Sequence, residues 1–227
     1  MVVKKRKEYV MRDEKNGQYY SHVRSEILPL LPEHCERVLE IGCGSGETLL
    51  WLKTQKPDCQ WLAGVELFPQ SGALAAPRLD WFCAGNIETL ELDIAPASLD
   101  LILCLDVLEH LVDPWKTVGK LHHLLKPEGH IIASIPNIRY YSASLGLVLK
   151  GNWDYQKEDF LDSTHLRFFT KKTALALMQS SGLAMDMVIG KGLEKGRKAR
   201  WLNLLTLGIF RPFFEFRYLI RVKNRQR

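Results

Sequence analysis

From Arg37 to Glu47 the chain runs Arg-Val-Leu-Glu-Ile-Gly-Cys-Gly-Ser-Gly-Glu, a short apolar run halted by three alternating glycines. Glycine reaches backbone conformations closed to other residues and lets a ligand approach the main chain, while a helix opening just beyond offers unpaired amides. Strand, glycine turn and helix in that order point to an α/β unit built around a ligand. The rest of the chain has to agree with that start.

It does so by alternation. Tyr20, Val23, Ile27 and Leu30 recur at helical spacing before Pro32, predicting a helix ahead of the strand at Arg37–Ile41. Ser45 reads as the cap of a helix through Leu49, Leu50 and Leu52 that ends near Pro57, followed by strands over 61–67, 79–85 and 98–105. Asp113 with Pro114 is a cap followed by proline at the first helical position, opening a helix to Leu125. Lys126 to Gly129 reads as a turn into a fifth strand, 130–135. Residues 136–168 interrupt the rhythm and read as a lid-like insertion with a helical patch at Leu145–Leu149. Thr170 caps a helix closing at Gly182, then a sixth strand covers 183–189. From Phe214 to Lys223 apolar and polar residues alternate with period two, the mark of a half-buried strand. Helices between strands imply a doubly wound, mostly parallel sheet whose ligands lie beyond the carboxyl ends of the strands. The expected organisation is a basic N-terminal extension, 1–17, and a single domain, 18–227.

Composition narrows the class. Of 227 residues, 46% are apolar and 25% charged, as in ordinary globular proteins, so disordered and collagen-like chains are excluded. The five cysteines are scattered and never form a CxxC pair, which speaks against zinc knuckles and disulfide frameworks and for a reducing cytoplasm; no metal is expected. No signal peptide and no membrane span are read. The net charge of +5 is local: residues 191–227 carry eleven Lys and Arg against two Glu. Such a segment suits an anionic membrane surface, a nucleic acid or an acidic substrate, or is simply a solvated face.

The glycine loop distinguishes two cofactor classes. A dinucleotide fingerprint wants glycine at 42, 44 and 47, but position 47 is Glu, whose charge about 4 Å from a pyrophosphate would cost up to roughly 4 kcal/mol at an effective dielectric of 20. A phosphate-free sulfonium ligand avoids that repulsion. Glu66, twenty residues past Gly46, stands where an acid can take both ribose hydroxyls, and Asn86 after the third strand either meets an adenine amino group or makes a turn.

Taken together these residues resemble class I S-adenosylmethionine-dependent methyltransferases. Val38–Gly46 matches the first motif of that family, Glu66 its ribose acid, residues 99–114 its fourth motif, and 124–137 its fifth-strand region. The resemblance implies a Rossmann-like sheet of seven strands with the last antiparallel, and S-adenosyl-L-methionine as cofactor. It would place Glu40, Gly42, Cys43, Gly44 and Gly46 on the methionine part, Glu66 on the ribose, Asn86 and Ile87 on the adenine, and Leu105 with Asp106 beneath the sulfonium. Asn86 departs from the family's more usual Asp. The tract 151–170 is similar to that of bacterial methyltransferases associated with cell-surface polysaccharide synthesis, which implies O-methylation of a saccharide or lipid-linked saccharide.

On that reading Asn137, Arg139, Tyr140, Trp153, Tyr155, Asp162 and Arg167 are the candidate acceptor contacts, with Asp162 and Arg167 alternatively an ion pair pinning the lid. A sugar hydroxyl is barely ionised at neutral pH, so a general base is expected, first His165 and then His110. Glu109 stands beside His110 just after the fourth strand. Other readings keep the cofactor but take a lipid-like phenol or, less favoured, a nucleic acid as acceptor, or make the chain a non-catalytic partner of another enzyme. Peripheral association with the inner face of the membrane through the basic C-terminal segment is compatible with either enzymatic reading.

Overall fold

The computed structural model describes residues 22–155, 161–193 and 197–225. The N-terminal extension at 1–17, the helical start at Tyr20 and part of the 151–170 tract lie outside the described residues.

Seven strands form one sheet in the order β3-β2-β1-β4-β5-β7-β6. These are β1 (Arg37–Ile41), β2 (Trp61–Glu66), β3 (Trp81–Ala84), β4 (Leu99–Leu105), β5 (Leu125–Pro136), β6 (Ala184–Lys191) and β7 (Arg217–Lys223). The first five pair in parallel, and β7 runs antiparallel to both β5 and β6. The helices are α1 (Glu47–Gln55), α2 (Pro69–Ala75), α3 (Pro114–His122), α4 (Tyr141–Lys150), α5 (Lys171–Gln179), α6 (Arg197–Leu205) and α7 (Arg211–Phe214). Apolar side chains from alternate strand positions form one core on each face: Leu39, Ile102, Ile131 and Tyr218 on one, Val38, Leu101, Ile132 and Leu219 on the other.

Local chemistry explains where the elements depart from the sequence expectation. The described part of the expected first helix is a single 3-10 stretch, Ser25–Leu30, because Pro29 inside it removes an amide donor. Ser45 is not the cap of α1: Gly46 takes that place, at φ +85°, with no side-chain cap. Asp113 and Thr170 do cap, each accepting from the amide three residues on. The expected turn at Lys126–Gly129 is part of β5, where Glu128 at φ +67° kinks the strand instead of ending it. The last strand begins at Arg217, since Phe214 belongs to α7, and it lies inside the sheet, so both Ile220 and Leu219 are buried. Helix α6 was not read from the sequence. Its Trp201, Leu204 and Leu205 have helical spacing, but the stripe faces outward and so lacks core partners.

Candidate active site

The parallel strands β1, β2 and β4 end together, and the glycine loop lies across those ends. The Gly42 and Cys43 amides donate to the Val65 carbonyl at 2.8 and 3.2 Å, and the Gly44 amide donates to Glu66 Oε2 at 2.8 Å. The other Glu66 oxygen accepts from the Phe68 amide at 2.9 Å, so this buried carboxylate ties the loop to the start of α2. Gly42 holds φ +71°, and a Cβ there would meet Val107 Cγ2 at 2.7 Å. Glu47 pairs with Arg78, at 2.5 Å, and Arg78 also donates to the Ser45 carbonyl, so the charge that sequence spacing set against a pyrophosphate is offset by a neighbouring guanidinium. Asn86 accepts from the Glu88 amide at 2.9 Å, making the turn, while Ile87 is buried in the core beside it.

Glu40 sits under this cradle, 3% exposed, with Oε2 lacking any partner. Burial pushes its carboxyl up to about 8, eased by the Arg24 guanidinium and reinforced by Glu66. An orphaned buried carboxyl beside glycine amides and a ribose-type acid fits the ammonium of an amino-acid ligand joined to a nucleoside, and S-adenosyl-L-methionine has that pair of ends.

At the end of β4, Asp106 holds φ +57°, a left-handed conformation that costs a non-glycine residue of order 1–3 kcal/mol. Its carboxylate accepts from Arg24 Nη1 at 2.7 Å, Arg217 Nη1 at 2.9 Å and Ser134 Oγ at 2.7 Å. Burial raises its pKa, but the two guanidiniums and Ser134 outweigh that and hold it below the usual carboxylate range. Leu105, one residue before, is buried as a wall. Arg24 and Arg217 escaped the sequence reading. The first lies in a segment whose signal is its apolar spacing, and the second stands in the polar half of a strand alternation.

Beyond Asp106, the backbone carbonyl of Glu109 accepts from the amides of Leu166 and Arg167, both at 2.9 Å. That pair of bonds draws the tract around residue 165 onto the end of β4 and sets the His165 ring 4.7 Å from that of His110. Glu109, His110 and His165 thereby bring ligand atoms within 4.8 Å of one another, a convergence that could hold a metal ion and that sequence spacing did not show. The Glu109 side chain is 1% exposed with neither oxygen partnered, and burial, then the Asp106 charge, raises its pKa well above the usual range. His110 Nδ1 lies 3.2 Å from the Thr164 carbonyl, so Nδ1 carries the proton and Nε2 keeps its lone pair. Burial, followed by the neighbouring His165, lowers the His110 pKa.

The candidate acceptor contacts divide. Trp153 stands edge-on to Phe168 at 5.1 Å, and Phe168 packs against His165 at 6.3 Å, forming an aromatic wall beside the histidines, with Tyr155 exposed nearby in sequence. Asn137 is fully buried, and its amide donates to the carbonyls of Pro212 and Glu215, both at 2.7 Å; it staples α7 to β5 and is withdrawn from any acceptor. Tyr140 packs on Tyr141 and Phe216, and Arg139 lies over Phe213 at 4.9 Å. Asp162 closes its own turn by accepting from the Thr164 amide and hydroxyl, and Arg167 donates to the Val112 carbonyl and lies over Trp115.

This arrangement is that of an S-adenosylmethionine-dependent methyltransferase, and the comparisons with known proteins agree. Residues 12–188 match the methyltransferase domain model, and the chain belongs to that family. It is 33% identical over 171 residues to a ubiquinone biosynthesis O-methyltransferase of Idiomarina loihiensis, covering 68% of each chain. It is 29% identical over 164 residues to the Xylella fastidiosa protein of that name, covering 66% of this chain and 65% of the relative. Matches of this kind span about two thirds of the relatives' length. Among solved structures, an S-adenosylmethionine-dependent methyltransferase of Archaeoglobus fulgidus superposes with TM-score 0.65 at 18% identity, over 88% of this chain and 91% of that one. One of Mesorhizobium loti gives 0.62 at 18% identity, over 87% and 95%. These likenesses bear out the seven-stranded fold and the cofactor. They carry no sign of the polysaccharide association expected from the 151–170 tract.

Proposed function

We propose that the chain O-methylates a hydroxyl of a lipid-like phenol, with His110 as the group that takes the proton. The observation that carries this reading is how the acceptor side is furnished. The polar side chains a saccharide would need, Asn137, Asp162 and Arg167, are engaged with backbone groups, while Trp153, Phe168 and the two histidines remain as an aromatic wall. The names of the relatives favour it too, since they are O-methyltransferases of ubiquinone biosynthesis.

The cofactor, when bound, supplies an electrophilic methyl on a sulfonium. Glu40, the loop from Gly42 to Gly46 and Glu66 would hold its amino-acid and ribose parts, and Asp106 stays ionised between two arginines at the strand end. His110 is kept neutral by burial and fixed by Thr164, and presents Nε2 to the acceptor's O–H. Phenols ionise near pH 10, far below a sugar hydroxyl, so one neutral imidazole suffices as base. Orientation of acceptor oxygen against the methyl can supply up to about 7–11 kcal/mol of the barrier.

A saccharide acceptor remains the second reading, favoured by the Trp153 ring, which would suit a sugar face. Methyl-labelled cofactor offered with alkylated catechols in one arm and fractionated cell-envelope saccharide precursors in the other decides between them. Label in the catechol supports the proposal, and label only in the saccharide fraction overturns it.

A further inference from the structure

Helix α6 and the turn after it display Trp201, Leu204, Leu205, Leu207, Ile209 and Phe210 to solvent, with Leu205 73% and Leu207 92% exposed. Soluble monomers rarely leave so continuous an apolar ridge uncovered. Leu207 is held at φ +50° and Gly208 at φ +83°, so the chain doubles back just where the ridge is most prominent. Arg200 stands exposed one residue before Trp201, and Arg200, Trp201 and Leu204 line a groove of about 450 Å³ against Leu193. Within that groove Asn203 Oδ1 is buried without a partner.

The charge of the surrounding sequence says what covers this ridge. Arg211, Arg217, Arg221 and Lys223 are taken up in ion pairs with Glu215, Asp106, Asp186 and Glu128, but residues 191–200, which lead into the ridge, still carry five Lys and Arg against one Glu. A protein partner with an apolar groove would not require that excess, and a nucleic acid would not require six bare apolar side chains. Apolar residues flanked by cations are the pattern of a helix lying in the interface of an anionic bilayer, with Trp at headgroup depth. No helix among the described residues is long and apolar enough to cross a membrane, so this one would lie on it.

We infer that α6 and residues 206–210 form a docking surface for an anionic lipid bilayer. Val148 and Leu149 of α4 are also exposed, and α4 and α6 follow the carboxyl ends of β5 and β6, which run in the same direction on either side of β7. Both helices flank the acceptor side of the sheet, so docking would bring that side to the membrane. This inference does not depend on which acceptor is methylated.

The test is flotation of the full chain with vesicles of phosphatidylcholine alone or with added phosphatidylglycerol, beside the variants Leu205→Ser/Leu207→Ser and Arg197→Gln/Lys198→Gln/Arg200→Gln. Binding should require phosphatidylglycerol, weaken with salt, and fall at least about tenfold in each variant, with cofactor affinity unchanged. Equal binding to neutral vesicles overturns the electrostatic part. Absence of binding overturns the whole, as does the ridge serving instead to join two copies, seen as a dimer on gel filtration that Leu205→Ser/Leu207→Ser converts to monomer without affecting flotation. Salt-sensitive binding to RNA but not to vesicles also overturns it.

Discussion

The two halves of the sheet are built on different principles. On the β1, β2 and β3 side, the candidate cofactor cradle is made of main-chain amides and buried acids: the loop is bonded to the Val65 carbonyl and Glu66, and Glu40 lies beneath it. On the β5, β7 and β6 side, the site is assembled from side chains drawn together across the chain, His110 with His165, Trp153 with Phe168, and its outer helices leave apolar residues uncovered. The contrast teaches that the common chemistry, holding one cofactor, is encoded in backbone geometry. The choice of acceptor is encoded in packing, which can change without disturbing the cradle.

If that division is right, the largest single effect belongs to the cradle. Gly42→Ala, with a left-handed backbone and Val107 in the way, should weaken cofactor binding by about a hundredfold or more while leaving the far-ultraviolet circular dichroism intact. Calorimetric affinity within tenfold of the parent would break the division.

Next come the histidines. His110→Asn should lower kcat by roughly 10²- to 10⁴-fold with cofactor affinity kept, and His165→Ala should cost less, because Nδ1 of His110 remains held by Thr164. In the parent, protonation of His110 abolishes its role as base. With its pKa lowered, the acid limb of kcat against pH should fall below the ordinary value of 6.5. A limb above 6.5, or an unaffected His110→Asn variant, removes His110 from the reaction.

Glu40 offers a subtler distinction. With its folded pKa near 8 against an ordinary 4.5, the folded protein holds a proton that the unfolded chain lacks between those values, so this group makes stability fall as pH rises through that window. A cofactor ammonium reverses the penalty. The rise in Tm on adding cofactor should therefore grow between pH 5 and 8 in the parent, and lose that growth in Glu40→Gln, whose cofactor affinity drops about tenfold. Calorimetry in buffers of different ionisation enthalpy should show proton release on binding in the parent only.

The smallest effect sharpens the acceptor side. Trp153→Ala should raise KM for the acceptor about threefold to tenfold and leave cofactor affinity unchanged, as expected of a wall that contributes contact area rather than chemistry.

The same division explains what was legible in the sequence. The strand–glycine–helix opening and the succession of strands through β5 could be read because each depends on neighbours within a few residues, and Glu40 and Glu66 because they stand at or near the ends of those strands. Asn137 reads like an acceptor contact because it follows β5, yet its amide is claimed by a segment 75 residues later. Arg24, Arg217 and the meeting of His110 with the tract at Thr164 depend on partners 54 to 111 residues apart, which no local spacing reveals. Helix α6 has a legible period, but exposure of its apolar stripe follows only from the absence of anything packed on it among the described residues.

One carboxylate, that of Asp106, grips an arginine from near the start of the described chain and another from its last strand. During synthesis the glycine turn emerges about 170 residues ahead of Arg217. The strand end beside the cleft is therefore finished last. A chain lacking β7 would keep its Rossmann-like half while missing the second hand of that grip, so the working cleft is completed only once β7 has joined the sheet.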